Sequence, residues 1–190
     1  MLAGGAGTRF GGAKLTAPWR GGALIDGALA AAFAAPARTV TIVTGADSAV
    51  DGAARRFAEG AGQTARLKVV HCSGHAEGMG ATLRVGIASL PSDAAGAFVF
   101  LGDMPHIPAM VLPELATAVA GGAPAAAPAF EGQRGHPVLF SASLFPELRA
   151  LSGDKGARSV LRSLGERLAL VPTDDPGVLF DVDRPDDLAG

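Results

Sequence analysis

Thr39-Val-Thr-Ile-Val43, then Ala49 to Glu59, then Leu67-Lys-Val-Val-His71 decide the fold of this 190-residue chain. The first and last are short runs of β-branched and apolar residues, and the stretch between them is of helical length. The same alternation continues outward. Ala97-Phe-Val-Phe-Leu101 is a strand, Ala125 to Phe130 and His136 to Phe140 form a pair, and Leu168 to Val171 is the last interior strand. Between them Ala81 to Leu90, Met110 to Ala120 and Ala157 to Leu164 read as helices, with Pro108 and Pro113 near the start of the second of these. Upstream, the Ala-rich stretch Leu24 to Ala37 reads as a buried helix, and Met1-Leu2-Ala3 leaves room only for a truncated first strand, with residues expected upstream of it. Strands alternating with helices predict an α/β domain over residues 1–190 with a mostly parallel sheet. In such a sheet ligands gather beyond the carboxyl ends of the strands, so the chemistry belongs in the loops there.

Composition narrows the classes. Apolar residues make up 48% of the chain and charged residues 18%, which excludes a disordered chain or a coiled coil. A net charge of -2, with arginines scattered along the chain, argues against a nucleic-acid partner. Mean hydropathy is +0.31, yet the apolar runs break well before the ~18 residues a membrane span needs. Cys72 is the single cysteine, so there is no internal disulfide and no cysteine-pair zinc site, and a reducing, cytoplasmic setting is expected.

Six loops hold the unusual residues. The first is Leu2-Ala-Gly-Gly-Ala-Gly-Thr-Arg-Phe-Gly-Gly-Ala-Lys14, whose five glycines allow positive φ and let successive N–H groups wrap an anion while Arg9 and Lys14 supply charge to a polyphosphate. It is neither a Walker A loop, since Leu15 follows Lys14, nor the strict dinucleotide pattern; the plain alternative is an irregular glycine-rich turn. The second is Glu77-Gly-Met-Gly80 at a helix start, with Thr82 in the first turn, which offers backbone donors and room for a flat base or else a simple turn. The third is Leu101-Gly-Asp103-Met-Pro105, an apolar strand ending in a carboxylate suited to Mg2+ or, more plainly, to an Asx turn. In the fourth, Gln133-Arg-Gly-His-Pro137, Arg134 and His136 stand where a strand pair enters the sheet and could meet a second substrate. The fifth, Gly153-Asp-Lys-Gly-Ala-Arg158, is a capped helix start or a second phosphate site. The sixth is Phe180-Asp-Val-Asp183-Arg-Pro-Asp-Asp187; as an alternating strand it would point Asp181 and Asp183 to one face, so that one of them shares a metal with Asp103, while Asp186 and Asp187 make a helix start acidic. His71 and His75 flank Cys72 without a third ligand at a metal spacing.

Taken in order, these six segments resemble the MobA-like nucleotidyltransferases, and within them the molybdenum cofactor cytidylyltransferases; Gly78-Met79-Gly80 and Arg134-Gly-His-Pro137 carry the likeness to that branch. The resemblance implies a Rossmann-like three-layer α/β/α nucleotidyltransferase fold with a mixed sheet. It implies Mg2+-dependent transfer of CMP from CTP to the terminal phosphate of molybdopterin, with release of pyrophosphate and a molybdenum hydroxylase as a candidate recipient. Carried over by position, Arg9, Lys14 and Asp103 are catalytic. Leu2, Ala3, Gly4, Gly5, Gly7, Thr8, Arg9, Lys14, Gly78, Met79, Gly80 and Thr82 bind the nucleotide. Arg134, His136, Asp154, Lys155 and Arg158 face the pterin, and Asp103 and Asp183 hold the metal. A guanylyltransferase using GTP on the same cofactor, an NADPH-dependent oxidoreductase and a non-catalytic cofactor carrier remain as alternatives. The absence of a base-nucleophile pair accords with transfer to an acceptor that is already an anion.

Overall fold

The computed structural model describes residues 1–190 apart from Ala6, Arg9, Lys155 and Gly190. In chain order it runs β1 (Leu2–Ala3), β2 (Pro18–Trp19), β3 (Gly22–Ala23), α1 (Leu24–Ala34), β4 (Val40–Thr44), α2 (Ala49–Gly60), β5 (Leu67–His71), α3 (Met79–Ala88) and β6 (Gly96–Val99). It continues α4 (Val111–Ala120), β7 (Ala125–Phe130), β8 (Gln133–Arg134), β9 (Val138–Ser141), α5 (Phe145–Arg149), α6 (Arg158–Leu164) and β10 (Leu168–Pro172).

Apart from the β2-β3 hairpin, the strands form two ladders joined by β1, with β8 paired to the end of β7. One is β1-β4-β5, all parallel, with Leu2 opposite Val43 and Ile42 opposite Val69. The other is β10-β7-β9-β6, in which β9 runs antiparallel to both neighbours and β10 runs parallel to β7. Leu2 closes the gap between them: its N–H donates to Phe100 O at 2.9 Å, and its carbonyl accepts from Gly102 N at 3.0 Å. The parallel strands therefore end on one common edge. Toward their amino ends the ladders part, and a cavity of about 460 Å³ opens between β4 and β6, lined by Val40, Ile87, Phe98 and Phe100 among others.

Helices cover both faces, as the three-layer expectation requires. Side chains of α1, α2 and α4 pack with Ile42, Ala126 and Leu139 in one cluster. Those of α3, α5 and α6 pack with Ala125, Ala127, Val138 and Phe140 in another. Adjacent residues of β7 and β9 thus serve opposite layers, the period of two that a strand dictates. Among the described residues no helix is long and apolar enough to cross a membrane.

Local chemistry explains where the elements stop. Helix α1 ends at Ala34 rather than Ala37, because Pro36 disfavours helical geometry in the residue before it. At its start, Asp26 Oδ2 accepts a hydrogen bond from Ala23 N at 2.8 Å, half of a capping box. Strand β9 starts at Val138, two residues after the expected start, since Pro137 has no N–H to give the ladder. Residues 180–184 form no strand, contrary to the alternating reading of Asp181 to Asp183. There Asp187 Oδ2 accepts from both Asp183 N and Arg184 N at 2.8 Å, turning the chain into a 3-10 turn at Pro185–Ala189.

One helical glycine fixes the loop that follows β6. A Cβ on Gly27 of α1 would lie 2.8 Å from Pro105 Cα and against Pro105 O, so α1 touches the backbone just beyond Asp103. Gly27→Ala is expected to destabilise the protein by ~1–3 kcal/mol, as overpacking does, with urea unfolding as the measurement.

Candidate active site

The carboxyl edge of the parallel strands holds a cavity of about 580 Å³. Its first wall is the loop leaving β1. Gly7, Gly11 and Gly12 have φ of 58°, 95° and 104°, and Ala13 follows at 40°. This left-handed run folds the loop back on itself, so that Gly7 O accepts from both Phe10 N and Gly12 N, at 3.0 and 3.1 Å. A Cβ on Gly7 would approach Lys14 Cβ to 3.1 Å, so the absence of one lets the stem of Lys14 lie against the loop.

The second wall is the start of α3. Gly78, at φ 111°, has no room for a side chain, because its Cβ would fall on Asp154 and within 2.8 Å of Gly153 C. Gly80 N donates to Gly153 O at 2.8 Å, and Arg84 Nη1 donates to Leu151 O at 2.8 Å. Leu151 and Gly153 are thereby bound to the helix start, and Asp154 joins the cavity lining. Thr82 is buried and meets the first wall, since a Cβ on Gly4 would lie 2.8 Å from its Oγ1.

The floor carries the charges. Lys14 Nζ donates to Asp103 Oδ2 at 2.6 Å and lies 3.8 Å from Asp183 Oδ1. Asp103 O accepts from Val182 N at 3.0 Å, which brings the C-terminal segment alongside the β6 loop and explains why residues 80 positions apart converge on one lysine. Asp181 sits in the same field: partial burial, then Asp183 and Asp103, push its carboxyl above the ordinary range. Among the described residues no three His, Cys, Asp or Glu side chains form a metal cluster. Asp103 and Asp183 are hard oxygen donors on one point, and a divalent ion there would complete its shell with water and phosphate oxygens, which suits Mg2+.

The expected site residues separate into groups. Leu2, Ala3, Gly4, Gly5, Gly7, Thr8, Lys14, Gly78, Met79, Thr82, Asp103 and Asp154 all line the cavity. Gly80 lies beneath it on the 153 loop, and Asp183 reaches it through Lys14. Arg134 and Arg158 are exposed outside the lining, and Arg9 and Lys155 lie outside the described residues. Asp47 and His75 line the cavity without having been expected there. Asp47 follows the carboxyl end of β4, where it caps α2 through Ala49 N at 2.9 Å and accepts from Thr16 Oγ1 at 3.1 Å. Its position beyond a strand end is the signal available in the sequence; His75 shows there only as one of the two histidines flanking Cys72.

His136 is held behind this floor. Its N–H donates to Val178 O at 2.9 Å, and its ring Nδ1 is buried with no partner among the described residues. Burial, then the charge of Arg134, lowers its pKa to about 4 against the opposing pull of Asp103. The ring is neutral at pH 7. Because the folded protein resists protonation that the unfolded chain accepts near 6.5, stability is full above that pH and falls as pH drops toward 4. Urea titrations are expected to show wild type losing about 2–3 kcal/mol more than His136→Leu between pH 7 and pH 4.

Comparison with known proteins gives the family. The sequence model of the MobA-like NTP transferase domain matches residues 1–168. The purine catabolism protein PucB of Bacillus subtilis (strain 168) is 32% identical over 121 residues, 61% of this chain, and the match spans 57% of the length of that relative. The crystal structure of Rv0371c from Mycobacterium tuberculosis H37Rv superposes with a TM-score of 0.79 at 27% identity, covering 99% of this chain and 93% of that one. A manganese complex of Rv0371c gives 0.75 at 26% identity over 99% and 93%. With its glycine loop, its strand-end aspartate and a family match over nearly its whole length, the chain belongs to the MobA-like NTP transferase family.

Proposed function

We propose that the protein is a nucleotidyltransferase that moves CMP from CTP to the terminal phosphate of molybdopterin and releases pyrophosphate. The observation that carries this is the Lys14–Asp103 ion pair, 2.6 Å long, on the floor of a cavity walled by two glycine-rich backbones. The walls suit a nucleotide: glycines without Cβ atoms let the backbone approach phosphates closely, and a cavity of about 580 Å³ has room for a base. Cytidylyl specificity is supported by Gly78-Met79-Gly80 and Arg134-Gly-His-Pro137, the segments most like that branch. The single thiol, Cys72, is buried and free, in keeping with a cytoplasmic place for the reaction.

The chain's own residues account for the chemistry without a strong base. An oxygen of the acceptor phosphate attacks the α-phosphorus, the P–O bond to the β-phosphate breaks, and pyrophosphate leaves with the electron pair. The acceptor is an anion at neutral pH, so what lowers the barrier is alignment and charge neutralisation. Lys14 supplies positive charge to the triphosphate, joined in this reading by Arg9, and the loop N–H groups orient it. Asp103 and Asp183 would hold Mg2+, which when bound neutralises charge developing on the phosphates. Arg134, His136, Asp154, Lys155 and Arg158 are assigned to the pterin from the resemblance; of these Asp154 lines the cavity.

Pyrophosphate release with molybdopterin and CTP, GTP or ATP tests the assignment. CTP is expected to turn over fastest, and GTP in its place would change the product. Nicotinamide absorbance loss with NADPH and no pyrophosphate would replace the reaction class. Lys14→Ala and Asp103→Asn are each expected to lower kcat/KM by ~10²–10³-fold, the range for removing one preorganised electrostatic group.

A further inference from the structure

We propose that in the nucleotide-free protein the Lys14 ammonium stands in the place of the divalent cation, so that the cation binds appreciably only together with the triphosphate. The inference rests on the assignment of Asp103 and Asp183 as the metal carboxylates. Lys14 Nζ is 2.6 Å from Asp103 Oδ2 and 3.8 Å from Asp183 Oδ1, so one ammonium lies between the two carboxylates that would share an ion. A magnesium ion needs carboxylate oxygens at about 2.0–2.1 Å and cannot share Asp103 Oδ2 with an ammonium already seated there. The lysine also repels an approaching dication in a pocket where its own side chain is only 13% exposed and screening is weak.

The same lysine is built to leave. Its Cβ is close to the space above Gly7, which seats the base of the stem on the glycine loop while the flexible chain beyond can swing its tip. Asp103 and the loop line one cavity, so the tip has two sets of acceptors within it: the carboxylates when the cavity is empty, and phosphate oxygens when a triphosphate enters. Moving to the phosphates vacates the carboxylates for the cation the triphosphate brings. One charge thus serves alternately as the counter-ion of the empty site and as a ligand of the nucleotide.

Mn2+ titrations followed by the electron paramagnetic resonance of the free ion test this, on the full-length protein with Mn2+ alone and with Mn2+ plus CTP. Without nucleotide, Lys14→Met is expected to bind Mn2+ about tenfold more tightly than wild type, a gain of about 1.4 kcal/mol. Lys14→Arg, which keeps the charge, should bind as weakly as wild type. Adding CTP should tighten Mn2+ binding to wild type far more than to Lys14→Met. Circular dichroism and melting curves establish that each variant is folded, and Lys14→Gln repeats the test should the methionine variant fail to fold. If both neutral variants bind Mn2+ no better than wild type while Asp103→Asn still weakens binding with CTP, the lysine inference is wrong and the metal assignment stands. If Asp103→Asn alters Mn2+ binding in neither condition, the metal assignment is wrong and the inference falls with it.

Discussion

Two residues hold the molecule's sheet together. Leu2 hydrogen-bonds through its own main chain to Phe100 and Gly102 on one side and pairs with Val43 on the other, so the parallel ladder and the mixed ladder share only this short rung. Every feature at the carboxyl edge is referenced to it. The glycine loop begins where β1 ends, Asp103 follows Gly102 on the segment beside it, and Gly45 just past β4 packs so closely that its Cβ would lie 2.7 Å from Gly4 Cα. A parallel arrangement brings the ends of its strands to one edge, and here β1 and the two segments beside it each deliver a turn there.

That crowding of backbone sets the electrostatics. Small residues let three loops approach within van der Waals contact, and charges that would be well hydrated on an open surface face one another instead. Lys14 and Asp103 are only 13% and 24% exposed. Asp181, partly desolvated and beside two further carboxylates, gains proton affinity, whereas Asp187, accepting from two backbone N–H groups, loses it. Two acids six residues apart are driven in opposite directions by nothing more than what their oxygens meet.

The fold was legible because its signal is repeated. β5 and β7 begin and end where their β-branched or apolar runs do, and the βαβ order of β4, α2 and β5 follows directly from period and length. What escaped was short or tertiary. α5 has five residues, too few for a helical period to register, and the Pro18–Trp19 and Gly22–Ala23 hairpin is shorter still. Asp181 to Asp183 alternates like a strand, and Val182 is indeed fully buried, but among the described residues no strand pairs with it. In the site, the glycines and Asp103 could be read locally, because unusual residues at a strand end announce themselves. The union of the 153 loop with Gly78 and Gly80, and the part of Asp47 in the wall, depend on contacts between distant segments that no local pattern encodes.

The alanines of β7 have a thermodynamic consequence. Ala125, Ala126 and Ala127 are fully buried, as are Ala28, Ala54, Ala58 and Ala81 on the helices. A methyl group has no rotamers to lose on burial, so ordering these positions costs only backbone entropy. It also removes little apolar surface from water, and the heat-capacity change of unfolding scales with that surface. At these positions the core trades hydrophobic area for close backbone contact, and each contributes less to the heat-capacity change of unfolding than a larger apolar side chain would.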